Sequence, residues 1–361
     1  MTEPPAESPV GRTARFLRVQ AEACRRLGSP LYDELLRRAA DDLEAGGPTR
    51  QVLEGHLDDP GPSALALRMM GGVHALVLTG RAPELGRFYP SSSAYDPATA
   101  ERPDEAWHSF AGVLEARRAD VREWLQRPPQ TNEVGRAAAL IGGLRHLAAE
   151  TPVPVRLVEV GASGGLNLRA DRFRIDGEVG EYGDTDSPVN LGHAWRGVAP
   201  PESVVEVVER DGGDLDPVDV STEAGRLLLT AYVWPDQIAR IQRLRGAFEI
   251  AAALPVTVRR ESAEQTLART RLADGTWTVV WHSVFRQYLS PQLQAALLEQ
   301  IDALAADATP TRRLAHLALE PTRPKPDTPH KFLVTLRTWP GDEQRVLAAA
   351  APHGIPTTWQ C

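Results

Sequence analysis

The chain has few of the features that mark a secreted or membrane protein. It contains only two cysteines, Cys24 and Cys361, in 361 residues. Two thiols cannot build a disulfide framework or a thiolate metal site on their own. No apolar run approaches the roughly 20 residues of a transmembrane helix, and the first residues lack the basic and then apolar order of a signal peptide. These absences predict a protein of the reducing cytoplasm.

An excess of basic charge is also missing. The 40 Lys and Arg residues against 48 Asp and Glu residues give a net charge of −8, which argues against a sequence-independent grip on nucleic acid or on an anionic membrane. No His-Glu pair stands at metal-ligand spacing, so the sequence predicts no catalytic metal. The expected partner is a small-molecule substrate, with no nucleic acid and no membrane, and the oligomeric state is open.

Proline and glycine, by contrast, are abundant, with 30 and 29 residues. Most of them stand between segments of regular hydrophobic periodicity, where helix starts, helix stops and turns require them. Up to residue 150 that periodicity is helical. The predicted helices cover about 12–27, 30–45, 62–79, 104–126 and 133–149. We therefore expect a helical N-terminal region over residues 1–150.

After residue 150, short β-branched runs alternate with helical segments, which is typical of a parallel sheet with helices on both faces. The predicted strands cover 155–160, 204–208, 256–259, 276–281, 314–319, 332–336 and 355–359. The predicted helices cover 163–171, 221–253, 261–271, 291–306 and 342–352. The expected fold class is α/β: an all-α N-terminal region followed, over residues 151–361, by a Rossmann-like seven-stranded sheet.

The most informative segment is the glycine turn after the first strand. Glu159, Gly161, Ser163 and Gly165 occupy alternate positions between an apolar strand and a helix. Gly161 permits a tight turn, and Gly165 lets a ligand approach backbone N–H groups at a helix N-terminus. The spacing is not that of a dinucleotide fingerprint, and no Lys-Ser or Lys-Thr follows as in a P-loop. An acid at the strand end suits a cationic or amino-bearing ligand.

This segment resembles the first motif of class I S-adenosylmethionine-dependent methyltransferases, with Ser163 in place of the usual middle glycine. More closely, the chain resembles an uncharacterised bacterial family, domain-of-unknown-function family 2332, from residue 12 onward. The segments that carry this second resemblance are Asn132–Arg136, Val158–Asn167, Val233–Gln237, His282-Ser283 and Gln287-Tyr288. The methyltransferase resemblance implies S-adenosylmethionine as cofactor, a small-molecule acceptor and a reversed last strand.

The same resemblance implies which residues bind the cofactor. The turn would pass under its methionine part, and an acid that ends the second strand would hold its ribose hydroxyls. Asp214 is the preferred acid, and its position makes 169–203 an insertion; the alternative, Asp176, stands in an apparent Asp-Gly hairpin turn. The predicted cofactor-binding residues are Glu159, Gly161, Ala162, Ser163, Gly165 and Asp214.

The remaining candidates each have a structural alternative. His282 ends a buried strand, where it would act as a general base or merely cap the next helix. Trp234 and Gln237 would line the acceptor pocket, or belong to a kink at Pro235. The predicted substrate-binding residues are Asn132, Glu133, Trp234, Gln237 and Tyr288, of which Asn132 is also a natural helix N-cap.

Two other functions stay open at this point. The sequence Gly161–Gly165 also fits the Gly-x-Ser-x-Gly elbow of serine hydrolases, and Asp214 and His282 follow Ser163 in the chain order that a hydrolase needs. A protein that keeps the fold and binds the cofactor as a scaffold, without transfer, is the other alternative, because Ser163 replaces a motif glycine.

Overall fold

The computed structural model describes residues 7–323 and 330–360, so Cys361 lies outside the described residues. The chain divides into two compact units. One contains the residues up to Thr131 together with Arg226–Ile241, and the other contains Asn132–Gly225 and the chain from Gln242 onward. We refer to them as the helical unit and the sheet unit.

The helices and strands of the described residues have the following bounds. The helices are α1 Pro9–Arg26, α2 Pro30–Ala45, α3 Pro48–Leu53, α4 Leu65–Leu78, α5 Pro83–Gly86, α6 Pro103–Ala116, α7 Arg118–Trp124, α8 Ala137–Glu150, α9 Glu223–Ala231, α10 Ile238–Ala253, α11 Ala263–Arg269 and α12 Pro291–Ala305. The strands are β1 Val155–Val160, β2 Trp195–Gly197, β3 Val207–Asp214, β4 Val258–Arg260, β5 Thr276–Ser283, β6 Arg312–Thr322, β7 Lys331–Trp339, β8 Glu343–Ala350 and β9 Thr357–Trp359.

The helical unit is built around one apolar core. Many of its helices begin with proline in the first turn, which costs no hydrogen bond at that position. The first helix is capped by the Ser8 side chain, which accepts from the Gly11 amide at 3.1 Å. Side chains from most of the helices meet in the core, including Leu17, Tyr32, Leu35, Met69, Phe110 and Trp234. In the described residues, no helix is both long enough and apolar enough to cross a membrane.

The sheet unit contains a nine-stranded sheet in the order β2-β9-β8-β7-β6-β5-β1-β3-β4. The five strands from β6 to β4 in that order are parallel to their neighbours. Strands β7, β8 and β9 continue the sheet in antiparallel pairs, and β2 runs parallel to β9. Because β1 is flanked by β3 and β5, the chain leaves β1 in one direction and later returns on its other side, and the carboxyl ends of the parallel strands meet at one edge.

The two faces of this sheet carry different helices. Val160 of β1 and Val280 of β5 pack with Leu297 and Ile301 of α12. On the opposite face α8 lies so close that a Cβ at Gly143 would overlap the Leu317 side chain. Helices on both faces explain why the central strands are buried along nearly their whole length.

The sheet has nine strands where the sequence predicts seven. The helix predicted over 342–352 is wrong, because Glu343–Ala350 forms β8 between β7 and β9. The four consecutive alanines at 348–351 favour a helix locally, and the ladders on both sides of β8 override that preference. The short strand β2 was not predicted. Strand β3, predicted over 204–208, extends to Asp214.

The sequence predicts a domain boundary at residue 150. Helix α8 lies N-terminal to that boundary and belongs to the sheet unit, while Arg226–Ile241 belongs to the helical unit. The predicted insertion at 169–203 contains β2, which pairs with β9. It also contains the bridges Arg174 to Asn190 and Ile175 to Tyr182.

The close approach of α8 to the sheet generates a prediction for stability. A Cβ at Gly142 would overlap the Trp359 ring, so Gly142→Ala should lower the free energy of unfolding by about 1–3 kcal/mol. Gly112→Ala is the matched control, since Gly112 also lies inside a helix and has no heavy atom within 4 Å of an added Cβ. The control should raise stability by about 0.5–1 kcal/mol. Urea unfolding followed by circular dichroism measures both, and equal stability of the two variants would contradict the packing.

Candidate functional site

A cleft lies at the carboxyl edge of the parallel strands. It encloses about 580 Å³ of empty space, including its open mouth. Its lining residues come from the ends of β1, β3 and β4, the start of α11, the segment after β5, and α12. They are Gly161, Gly213, Asp214, Leu215, Glu261, Ser262, Ala263, Glu264, Phe285, Leu289, Leu293 and Leu297. Ligands of open α/β sheets bind at this edge, outside the strand ends.

One wall of the cleft is acidic. Asp214 is the last residue of β3, and Glu261 follows β4 directly. Asp214 Oδ2 accepts from the Ser163 amide at 2.8 Å, and its Oδ1 accepts from the Asp216 amide at 2.8 Å. Glu261 Oε1 accepts from the Thr266 hydroxyl at 3.0 Å and forms an ion pair with Arg269 Nη2 at 2.6 Å. These contacts hold the Asp214 and Glu261 carboxylates at neighbouring strand ends.

The other wall is apolar. It is formed by Phe285, Leu289, Leu293 and Leu297. The exposure of its side chains varies, since Leu297 is 1 % exposed and Leu293 is 47 % exposed. Leu215 of the acidic side also exposes 70 % of its surface. An acidic wall facing an apolar wall suits a ligand that has hydroxyl or cationic groups on one side and a flat apolar group on the other.

Of the predicted glycine turn, Gly161 is among the described residues that line the cleft, whereas Ala162, Ser163 and Gly165 are buried. Gly161 has φ +69°, and a Cβ there would overlap the Phe285 ring, so both the backbone and the packing require glycine. Ser163 has φ +51°, a left-handed conformation that costs a non-glycine residue about 1–2 kcal/mol. The hydrogen bond from its amide to Asp214 stabilises this conformation. Ala162 is fully buried, and its carbonyl accepts from the Gly165 amide at 2.7 Å.

Glu159 is buried at the end of β1. Its side chain is 3 % exposed, and among the described residues its Oε2 has no hydrogen-bond partner. Burial, followed by the negative charge of Asp214, raises the pKa of Glu159 to about 8. Trp281 and the positive charges of Arg169 and Arg136 oppose that rise. The carboxyl is thus held protonated at neutral pH.

His282 ends β5 and is fully buried. Its Nδ1 lies 2.6 Å from Glu320 Oε1, and its Nε2 lies 2.9 Å from His316 Nε2. Both ring nitrogens are therefore engaged within the protein. His282 is not among the described residues that line the cleft; the lining residue nearest to it in sequence is Phe285.

Three predicted substrate-binding residues belong to the sheet unit. Asn132 Oδ1 accepts from the Leu166 amide at 2.8 Å, which joins the segment before α8 to the helix start after the glycine turn. Glu133 is 7 % exposed, and its Oε1 accepts from the Gly135 amide at 3.1 Å. Tyr288 is 66 % exposed and adjoins the cleft residue Leu289.

Trp234 and Gln237 belong to the helical unit. Trp234 is 6 % exposed and packs in its core. Gln237 Nε2 donates to the Leu27 carbonyl at 2.5 Å, at the end of α1. Between them, Asp236 accepts from the Ser29 hydroxyl at 2.6 Å and from the Leu31 amide, at the start of α2. These contacts account for the Trp-Pro-Asp-Gln sequence as a connection between α1, α2 and the segment after α9.

The structure also locates the residues of the open alternatives. Asp176 pairs with Arg174 at 2.9 Å, within 169–203, and is not among the described cleft residues. Ser163, Asp214 and His282 do not form a relay: Asp214 accepts from the backbone amide of Ser163, and His282 is bonded to Glu320 and His316. Within the described ranges, no cluster of His, Cys, Asp or Glu could hold a metal ion.

Sequence reasoning missed several residues of this region. Glu261 follows a strand at the carboxyl edge, and that placement is the signal that could have identified it. His316 lies in the strand predicted over 314–319, and Glu320 follows it directly; four residues apart, both fall on one face if the strand continues. The apolar wall gave no such signal, since leucines in a helix are usually core residues.

Comparison with known proteins identifies the family. Residues 14–359 match the family described as "Uncharacterized protein conserved in bacteria (DUF2332)", and the chain belongs to it. No curated protein and no solved structure matches the chain. The predicted resemblance to this uncharacterised bacterial family is thereby confirmed.

The raised pKa of Glu159 predicts how stability depends on pH. Between about pH 4.5 and pH 8 the native state keeps a proton that the unfolded chain releases, so this group's contribution to stability is full below that window and is lost as pH rises through it. Glu159→Gln cannot ionise, so it should become more stable relative to the parent as pH rises from 5 to 9, by about 1.4 kcal/mol per pH unit at most.

Thermal unfolding across that pH series measures the difference. Glu178→Gln makes the same substitution at an exposed position and serves as the matched control, for which no such trend is expected. A Glu159→Gln curve that stays parallel to the parent curve would show that this carboxyl is ionised in the native state throughout.

Proposed function

We propose that the protein is an S-adenosylmethionine-dependent methyltransferase that acts on a small-molecule acceptor. The observation that carries the proposal is the cleft at the carboxyl edge, in which Gly161, Asp214 and Glu261 converge opposite an apolar wall. The strand order supports it, because the five parallel strands run third, second, first, fourth, fifth in chain order, as in doubly wound nucleotide-binding sheets.

The chemistry of the cleft residues fits this cofactor. Asp214 would accept hydrogen bonds from the ribose hydroxyls with its carboxylate, since a charged acceptor bonds neutral donors strongly. The apolar wall of Phe285, Leu289 and Leu293 offers a surface on which a flat base can pack. The Oε2 of Glu159 is a buried polar atom without a described partner, two residues before the glycine turn, and the carboxylate of Asp214 favours a cation over a phosphate.

When bound, S-adenosylmethionine supplies an electrophilic methyl group on a positively charged sulfur. The chain's contribution would be mostly positioning, which is what an in-line displacement needs. Gly161 lines the cleft, and the leucines of the cleft exclude water. The acceptor would enter at the mouth of the cleft, beside the exposed Tyr288 and Leu293.

Binding of the cofactor tests the proposal directly. Titration of the protein with S-adenosylmethionine in a calorimeter should give saturable heat, and Asp214→Asn should weaken binding by about 10–100-fold, the equivalent of losing a hydrogen bond to a charged group. Asp176→Asn is the matched control and should bind like the parent. A parent protein that gives neither heat nor a thermal shift would refute the cofactor assignment, and loss of binding in the control alone would move the ribose site to Asp176.

A second function, cofactor binding without transfer, is favoured by one observation. The predicted general base His282 is fully buried with both ring nitrogens engaged, so the described cleft residues include carboxylates but no histidine. In that case S-adenosylhomocysteine would bind to the parent protein, yet no acceptor in a small-molecule library would be methylated. Turnover on any acceptor would exclude this alternative.

A further inference from the structure

A buried polar network lies behind the apolar wall of the cleft. His282 lies near the end of β5, Glu320 near the end of β6 and His316 in the middle of β6; they are 0 %, 7 % and 9 % exposed. Two of these residues were not predicted from the sequence, and none lines the cleft among the described residues. Burying three titratable side chains together is costly unless they satisfy one another.

The protons of this network can be assigned. Hydrogen bonds from His282 and from two backbone amides lower the pKa of Glu320 even though burial opposes them. An ionised Glu320 only accepts, so His282 Nδ1 carries a proton and donates across 2.6 Å. Burial lowers the pKa of His316 well below its usual value. With His316 neutral, a single proton lies between its Nε2 atom and the Nε2 atom of His282, and either ring can be the donor.

The same carboxylate fixes the segment that follows β5. Glu320 Oε1 accepts from the Phe285 amide at 3.0 Å, and both of its oxygens lie 3.3 Å from the Arg286 amide. Val284, immediately before, has φ +52°. A β-branched residue in a left-handed conformation is costly and persists only where its surroundings impose it. The Glu320 carboxylate supplies that constraint.

This segment is also the apolar wall. Phe285 and Leu289 line the cleft, and the Phe285 ring lies against the glycine turn. The His282 and Phe285 ring centroids are 6.0 Å apart. On the other side, Gln294 of α12 donates to the carbonyls of Arg286 and Leu289 at 3.0 and 3.1 Å. The network therefore holds the amides of the segment while α12 holds its carbonyls.

We propose that His282 and Glu320 are positioning residues, which hold residues 284–289 so that Phe285 and Leu289 form the wall of the cleft, and that ligand affinity depends on them although neither touches the ligand. The wall is a feature of the fold, whereas its effect on affinity rests on the proposed cofactor site. The two parts are therefore tested by separate measurements.

The first measurement needs no ligand. In Glu320→Gln, deuterium uptake by peptides that cover residues 284–289 should be at least tenfold faster than in the parent, and the downfield proton signal of the His282 Nδ1–H should disappear. Leu314→Ala is the matched control: Leu314 is a fully buried core residue of the same strand, six residues before Glu320 and towards the opposite edge of the sheet. The control should lose stability by cavity formation and keep the uptake of 284–289 slow.

The second measurement is the affinity for S-adenosylhomocysteine, which should fall about tenfold in Glu320→Gln and remain unchanged in Leu314→Ala. If Glu320→Gln does not fold, His282→Gln is used under the same criteria. Equal uptake of 284–289 in the Glu320 variant and in the control overturns the positioning role. Faster uptake with unchanged affinity overturns the link to the ligand. A parent that does not bind the ligand refutes the proposed function, while the uptake comparison still decides the positioning role.

Discussion

The cost of burying a carboxylate governs this sheet. Glu159 and Glu320 both lie at the carboxyl edge of central parallel strands, and both are more than nine-tenths buried. Glu320 receives donors from His282 and from two backbone amides, and its pKa is lowered. Glu159 has an oxygen without a partner, stands near the negative charge of Asp214, and has a pKa raised to about 8. The hydrogen bonds of Glu320 are therefore complete, whereas Glu159 keeps one oxygen without a described partner.

Much of the carboxyl edge could be predicted from the sequence, because its signals are local. The strand 155–160 and the turn at Gly161 follow from residue types at fixed spacings, whereas Asp214 was chosen because the methyltransferase resemblance implies an acid at the end of the second strand. The structure places the Asp214 carboxylate against the Ser163 amide, so the predicted members of this group do meet. What was predicted correctly here depends on backbone geometry over a few residues.

The parts that could not be predicted depend on contacts that are distant in sequence. The residues of β8 favour a helix by themselves, and only pairing with β7 and β9 makes them a strand. His282 and Glu320 are 38 residues apart, and their hydrogen bond depends on the register in which β5 pairs with β6. That register places Val280 beside His316 and therefore brings the two histidines together on one face. A single sequence carries no direct record of such pairing.

The two walls of the cleft are stabilised by separate contacts. On the acidic side, Asp214 holds the left-handed Ser163 by its amide, and the resulting turn ends against Phe285. On the apolar side, Glu320 holds the amides of Phe285 and Arg286. The two sets of contacts meet where the Phe285 ring covers Gly161. The ring lies so close that a side chain at residue 161 would overlap it. Asp214 fixes the turn that contains Gly161, and Glu320 fixes the segment that contains Phe285. The contact between Gly161 and the Phe285 ring therefore sets the shape of the cleft.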